Sequence, residues 1–318
     1  MSTRGITFLS VLICAAAARS LVWVGYDGGL TQYDDNGKYL KRVENYRRPI
    51  ALRLDSERRR LWFLDAADYK LVCLDADSGG ELRVVPKAAH PAEVGSSNLK
   101  IYMLEKRPVE PSLGLDPVDG SVWVADFYGH ELARYDAEGK QLFRTGGFHE
   151  PFGVAPLGDG TAWIAAGIHT LSLIGPDGVS KQDQAGVNEA RALAFDGGRA
   201  LVWIADYRNN RILGIDRNAL LKKKIGGVEL PLALAVDGAN GFVWVATQYG
   251  GLKRITATAE AVTVTIDTPE TPAALTVDKN GRLWAAFPDA GEVVCYSPAG
   301  DRVCEITRIK SPSGVAAE

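Results

Sequence analysis

Hydrophobic positions along the chain fall in short runs separated by polar turns, and the runs recur in a fixed order. First comes a Pro-led apolar run, as in Pro151-Phe152-Gly153-Val154-Ala155 or Pro231-Leu232-Ala233-Leu234-Ala235-Val236-Asp237. A Trp-centred run follows, as in Ser121-Val122-Trp123-Val124-Ala125-Asp126 or Leu201-Val202-Trp203-Ile204-Ala205-Asp206. The third run alternates (Arg211-Ile212-Leu213-Gly214-Ile215-Asp216), and the fourth has polar ends (Lys140-Gln141-Leu142-Phe143-Arg144). Turn signals divide them: Asp35-Asn36-Gly37, Glu138-Gly139, Pro176-Asp177-Gly178 and Ala299-Gly300. Each group of four reads as four antiparallel strands, the size of one propeller blade.

Tryptophan acts as a ruler for the repeat. It stands at 23, 62, 123, 163, 203, 244 and 284, at intervals of 39, 61, 40, 40, 41 and 40. A period near 40 with short strands inside each unit predicts an all-β, seven-bladed β-propeller of four-stranded antiparallel blades. The first Trp run has no Pro-led run before it, and Ser311-Pro312-Ser313-Gly314-Val315-Ala316-Ala317-Glu318 has no Trp run after it. This C-terminal strand is therefore expected to pair in the N-terminal blade and close the ring, removing its free edges. The Pro-led strands are expected innermost, because one of their columns reads Ala51, Gly153, Ala192, Ala233, Ala274 and Gly314, small enough for strands converging on an axis. The long interval between Trp62 and Trp123 places an insertion at about 87–108, on the face bearing the loops after the Trp strands. Within it Lys100-Ile101-Tyr102-Met103-Leu104 is read as an extra strand or a lid.

Composition changes this picture at three points. A net charge of −3 provides no basic field for nucleic acid. Met1-Ser2-Thr3-Arg4, an apolar stretch from Ile6 to Ile13 and the small residues of Cys14-Ala15-Ala16-Ala17-Ala18 match a signal peptide over 1–18, too short to span a bilayer. The mature chain, 19–318, is then a single propeller that is secreted or periplasmic, with no transmembrane segment. Lipidation of Cys14 is the alternative, with the bulky Ile13 before it. Of the remaining cysteines, Cys295 and Cys304 flank the turn Ser297-Pro298-Ala299-Gly300-Asp301. With Ser297 opposite Arg302 they face each other at about 4.5–5.5 Å between Cα atoms, within disulfide reach, and Cys73 is left unpaired.

Candidate chemistry gathers at the rim. The residues before the inner strands include Arg47, Arg48, Glu110, His149, Glu150, Asn188, Glu189, Glu229, Glu270 and Lys310. Inner strands about 6–7 Å apart bring Glu110, Glu150, Glu189, Glu229 and Glu270 into an acidic arc at the channel mouth. Their oxygens with Asn188 suit Ca²⁺ or Mg²⁺, with Glu150 and Glu189 as the metal ligands. His149 beside Glu150 is placed to act as a base. Asp126, Tyr128, Tyr207 and Tyr249, after the Trp strands, are candidates to bind a small molecule, a glycan or a protein. His130 and His169, in adjacent blades and roughly 15 Å apart, are too distant to share a metal. No phosphate loop, nucleophile elbow, Cys-x-x-Cys or HExxH is present.

With Pro-x-Gly-Val-Ala, Val-Trp-Val-Ala-Asp and Asn209-Asn210-Arg211-Ile212, residues 20–318 resemble NHL-repeat propellers and the streptogramin lyase-like superfamily. The lyases of that group are implied to use histidines and a glutamate in late blades with Mg²⁺, whereas no histidine here follows His169. Gluconolactonase-like propellers imply a metal held by Glu, Asn and Asp in six blades. Glu110-Pro111 and Asp126 echo one of their motifs. Peptidyl-hydroxyglycine lyases imply three channel histidines on zinc, and only His149 stands near such a position. The expectation is an exported binding module or interaction scaffold, monomeric, working through the face with the loops after the Trp strands. The alternative is a divalent-metal-assisted lyase, lactonase or hydrolase at the channel mouth.

Overall fold

The computed structural model describes residues 20–90, 111–258 and 260–318, so the leader, Cys14, Glu110 and most of the 87–108 insertion, including 100–104, lie outside the described residues. Regular structure among the described residues is all strand, apart from one 3-10 turn at Tyr207–Asn209. The strands form seven four-stranded antiparallel sheets. In the second blade β4 (Pro49–Asp55), β5 (Arg60–Asp65), β6 (Lys70–Asp75) and β7 (Glu81–Val85) run in sequence order from inside to outside. The third blade repeats this with β8 (Ser112–Leu115), β9 (Val122–Asp126), β10 (Glu131–Tyr135) and β11 (Gln141–Gly146). The insertion thus falls in the β7-to-β8 connection. In the first blade β28 (Pro312–Ala317) takes the inner place beside β1 (Leu21–Tyr26), pairing Val22 with Ala317, Trp23 with Ala316 and Val24 with Val315. The ring closes as the two chain ends imply.

Burial explains why the tryptophans recur. All seven are 0% exposed, one strand out from the axis, where each fills the wedge between two blades. Trp23 packs with Leu52, Leu61 and Phe63 of the next blade, and Trp62 with Leu113, Val122 and Val124 of the one after. Each indole removed from water contributes on the order of 2–3 kcal/mol. The Pro-led strands pack on one another around the axis. A Cβ on Gly314 would lie 2.6 Å from the Leu52 side chain, and one on Gly153 would lie 3.3 Å from the Leu193 backbone.

On the face away from the Trp-strand loops, buried aspartates end the inner strands and hold the turns that follow. Asp55 accepts from the Arg58 N–H at 3.0 Å, Asp237 from Asn240 at 3.0 Å and Asp278 from Asn280 at 3.0 Å. Asp278 also accepts the Trp284 indole N–H at 3.0 Å. This face is therefore scaffolding.

Cys295 in β26 (Glu292–Tyr296) pairs directly with Cys304 in β27 (Arg302–Ile306). The turn differs from the expected one. Ser297 N–H donates to Asp301 at 2.8 Å, and a bulge after Cys295 puts Tyr296, not Ser297, opposite Arg302. Both thiols, like that of Cys73, are free in this structure.

Candidate cation site on the insertion-bearing face

The loops after the Trp strands and the connections into the next inner strand are knitted into one surface. Gly28 N–H donates to Arg47 at 3.0 Å, Ala66 to Arg48 at 2.9 Å, Arg208 to Asn188 at 3.0 Å and Gln248 to Leu230 at 3.1 Å. The residue just before an inner strand is left-handed in four blades: Glu150 (φ 48°), Glu189 (φ 59°), Leu230 (φ 42°) and Ser311 (φ 48°). That bend is a property of the repeat, and it directs the first two side chains into protein. Glu150 and Glu189 are each 5% exposed.

The rim carboxylates consequently differ from the arc that spacing implied. Glu189 is ion-paired to Arg191 and, at 2.8 Å, to Arg208, so cations of the protein occupy the place expected for a metal. Glu150 lies 3.8 Å from His149 Nδ1, beyond hydrogen-bond length. Glu270 accepts the Ala290 N–H at 2.9 Å, and Glu229 is exposed. Asn188 uses its backbone N–H on Asp206, at 2.7 Å. His130 accepts the Glu150 N–H on Nδ1 at 3.1 Å, just as the Asn210 side chain accepts the Leu230 N–H at 2.9 Å two blades later. His130 is thus a structural cap, although its ring lies 5.7 Å from that of His149. Among the aromatics, Tyr207 is buried and bonded to Gln248, Tyr128 packs edge-on against Phe127 at 5.0 Å, and Tyr249 is 81% exposed.

Three of the seven Trp strands end in aspartate, and Asp126 differs from the other two. Asp65 faces Lys70, and Asp206 of β17 (Leu201–Asp206) faces Arg211 of β18 (Arg211–Ile215), whose Nε lies 2.5 Å from the carboxylate. In the third blade Asp126 faces Glu131. Two like charges directly opposed across strands destabilise the pair unless a cation stands between them. His90, from the segment after β7, closes the gap with Nδ1 2.6 Å from Asp126 Oδ2. One donor atom from each of His90, Asp126 and Glu131 lies within 4.8 Å of the others, the one such trio of His, Cys, Asp or Glu among the described residues.

The trio is held from behind. Asp126 is 2% exposed and its second oxygen accepts the Gly129 N–H at 3.2 Å. Arg144 bonds Glu131 at 3.1 Å, the Tyr135 hydroxyl at 3.0 Å and the Lys87 carbonyl at 2.9 Å, and Ala88 N–H donates to Tyr69 at 2.8 Å. These bonds fix the approach to His90. Burial acts to lower the Arg144 pKa, but the Tyr135 hydroxyl and Glu131 carboxylate raise it overall, so the guanidinium stays charged. At Gly129 a Cβ would lie 2.3 Å from His90 Nδ1 and 2.4 Å from Asp126 Oδ2, so the absent side chain makes room for the contact.

Comparison with solved structures places this architecture. A streptogramin B lyase matches at TM-score 0.65 with 16% identity over 93% of this chain and 91% of its own. Virginiamycin B lyase from Staphylococcus aureus matches at 0.64, with 17% identity over 84% and 87%. This chain shares their seven-bladed fold. An apo structure of AztD from Citrobacter koseri matches at 0.65 with 14% identity over 95% and 98%. A functionally unknown protein from Desulfotomaculum acetoxidans matches at 0.71 with 16% identity over 94% and 99%. No family model and no curated protein matches the sequence. At these identities the likeness carries the fold and no activity.

Proposed function

We propose that the chain is an exported propeller binding protein that holds a divalent cation at His90, Asp126 and Glu131 and takes its ligand on that face. The observation that carries this reading is the substituted pair. Where blades two and five set Asp against Lys70 and Arg211, blade three sets Asp126 against Glu131 and adds an imidazole. One nitrogen and two carboxylate oxygens suit an imidazole-binding ion such as Zn²⁺ better than the Ca²⁺ or Mg²⁺ expected of an all-oxygen rim. Export rests on the leader pattern of residues 1–18. The catalytic reading lacks comparable support, because His149 and Glu150 make no hydrogen bond to each other.

Titrating EDTA-stripped, dialysed protein with Zn²⁺ by calorimetry tests the reading. One equivalent is expected to bind, at least tenfold more weakly in His90→Ala and in Glu131→Gln. No stoichiometric uptake, with no change in melting on adding EDTA or Zn²⁺, would overturn it.

A further inference from the structure

The seven inner strands carry few charged residues. Asp55, Asp196 and Asp237 end their strands on the scaffolding face, and Arg191 is paired with Glu189. Among the described residues Arg53 alone stands in mid-strand with no acid, and it donates from Nη1 to the neighbouring Leu52 carbonyl at 2.8 Å.

The register shows how unusual that placement is. Arg53 lies opposite Trp62. At the same place, opposite the other six tryptophans, stand Gly114, Ala155, Ala194, Ala235, Thr276 and Ala316. Six small residues and one arginine share a ring around the axis. Arg53 is exposed, while its strand pairs with β5 at its outer edge and packs between β28 and β8, which leaves the side toward the axis open. Protein crowding lowers its pKa to about 10.

We propose that Arg53 is the anchor of an oxyanion site inside the channel, taking a carboxylate or phosphate group of a small molecule. An unpaired charge among protein atoms is costly unless a counter-charge joins it. A planar guanidinium with most of its donors unused matches a carboxylate or phosphate in bidentate fashion. Arg53 is the one long side chain in that register, and among the described residues no acid is paired with it. The site is distinct from the His90 trio and does not depend on it.

Calorimetric titration at constant ionic strength tests this, with inorganic phosphate in one arm and succinate in the other. Working in EDTA keeps the anions from binding through a metal at His90. At least one anion is expected to saturate a single site, and the tighter of the two identifies the group recognised. Arg53→Met is expected to weaken that binding at least tenfold. Arg53→Lys, which keeps the charge without the fork, is expected to fall between. Absence of a saturable site for both anions would overturn the proposal, as would equal binding by Arg53→Lys and parent, or by Arg53→Met and parent. Arg53→Lys decides the matter should the Met variant fail to fold.

Discussion

Asp126 and Glu131 face each other as two acids, so the local energetics depend on what stands between them. His90 can do so because Gly129 has no side chain. Gly129 does not have a left-handed backbone, so alanine meets no φ penalty there, and the nearest atoms its methyl would meet are those of His90 and Asp126. Gly129→Ala is expected to weaken Zn²⁺ binding at least tenfold while shifting the melting temperature by no more than about 2 °C. Calorimetry and a thermal melt on the same sample check both halves. Unchanged Zn²⁺ affinity would mean that the His90–Asp126 contact plays no part in binding.

Strands and their order were readable because each blade needs one large wedge in one place, and tryptophan supplies it seven times. The rim was harder to read. Spacing puts Glu150 and Glu189 at the channel mouth, but a left-handed backbone just before the inner strand turns both side chains into protein, where Arg191 and Arg208 meet Glu189. His90 has no motif spacing to Asp126, because the chain joins them only by crossing from blade two to blade three. A signal did exist in the sequence, where the Asp-ended Trp strands of blades two and five are followed by Lys70 and Arg211 but that of blade three by Glu131. The element on which the ring depends is β28, whose Val315 and Ala316 are each 2% exposed and whose backbone completes the ladder with β1. Removing residues 311–318 exposes that apolar surface and leaves β1 as a free edge, a loss on the order of 5 kcal/mol or a fall in melting temperature of roughly 10 °C. Differential scanning calorimetry of the truncated chain checks this. Melting at the parent temperature would show that the ring does not need its closure.

For the molecule as a whole, pH acts at opposite ends on two sets of groups. Asp75 is held below the usual carboxylate range, chiefly by the Ser78 N–H, and Asp77 chiefly by the Arg59 guanidinium. The unfolded chain binds protons at these sites more readily than the folded one, so their contribution is complete above the ordinary value. It is lost as acid carries the pH from about 4 downward. Burial does the reverse to the acids of the blade interiors. It pushes the Cys73 thiol up to about 12 and raises Tyr33 and Tyr296 above the ordinary phenol value. These groups favour the folded state while neutral, and that advantage shrinks once the unfolded thiol ionises, from about pH 8.5 upward. Guanidinium unfolding at a series of pH values is therefore expected to give a plateau with losses on both sides. Cys73→Ala should lower the plateau, because it leaves a cavity, yet flatten the alkaline limb by removing one ionising group. An alkaline limb of unchanged slope in that variant would remove Cys73 as a contributor. Stability that rose from pH 5 to pH 3 would contradict the acid half.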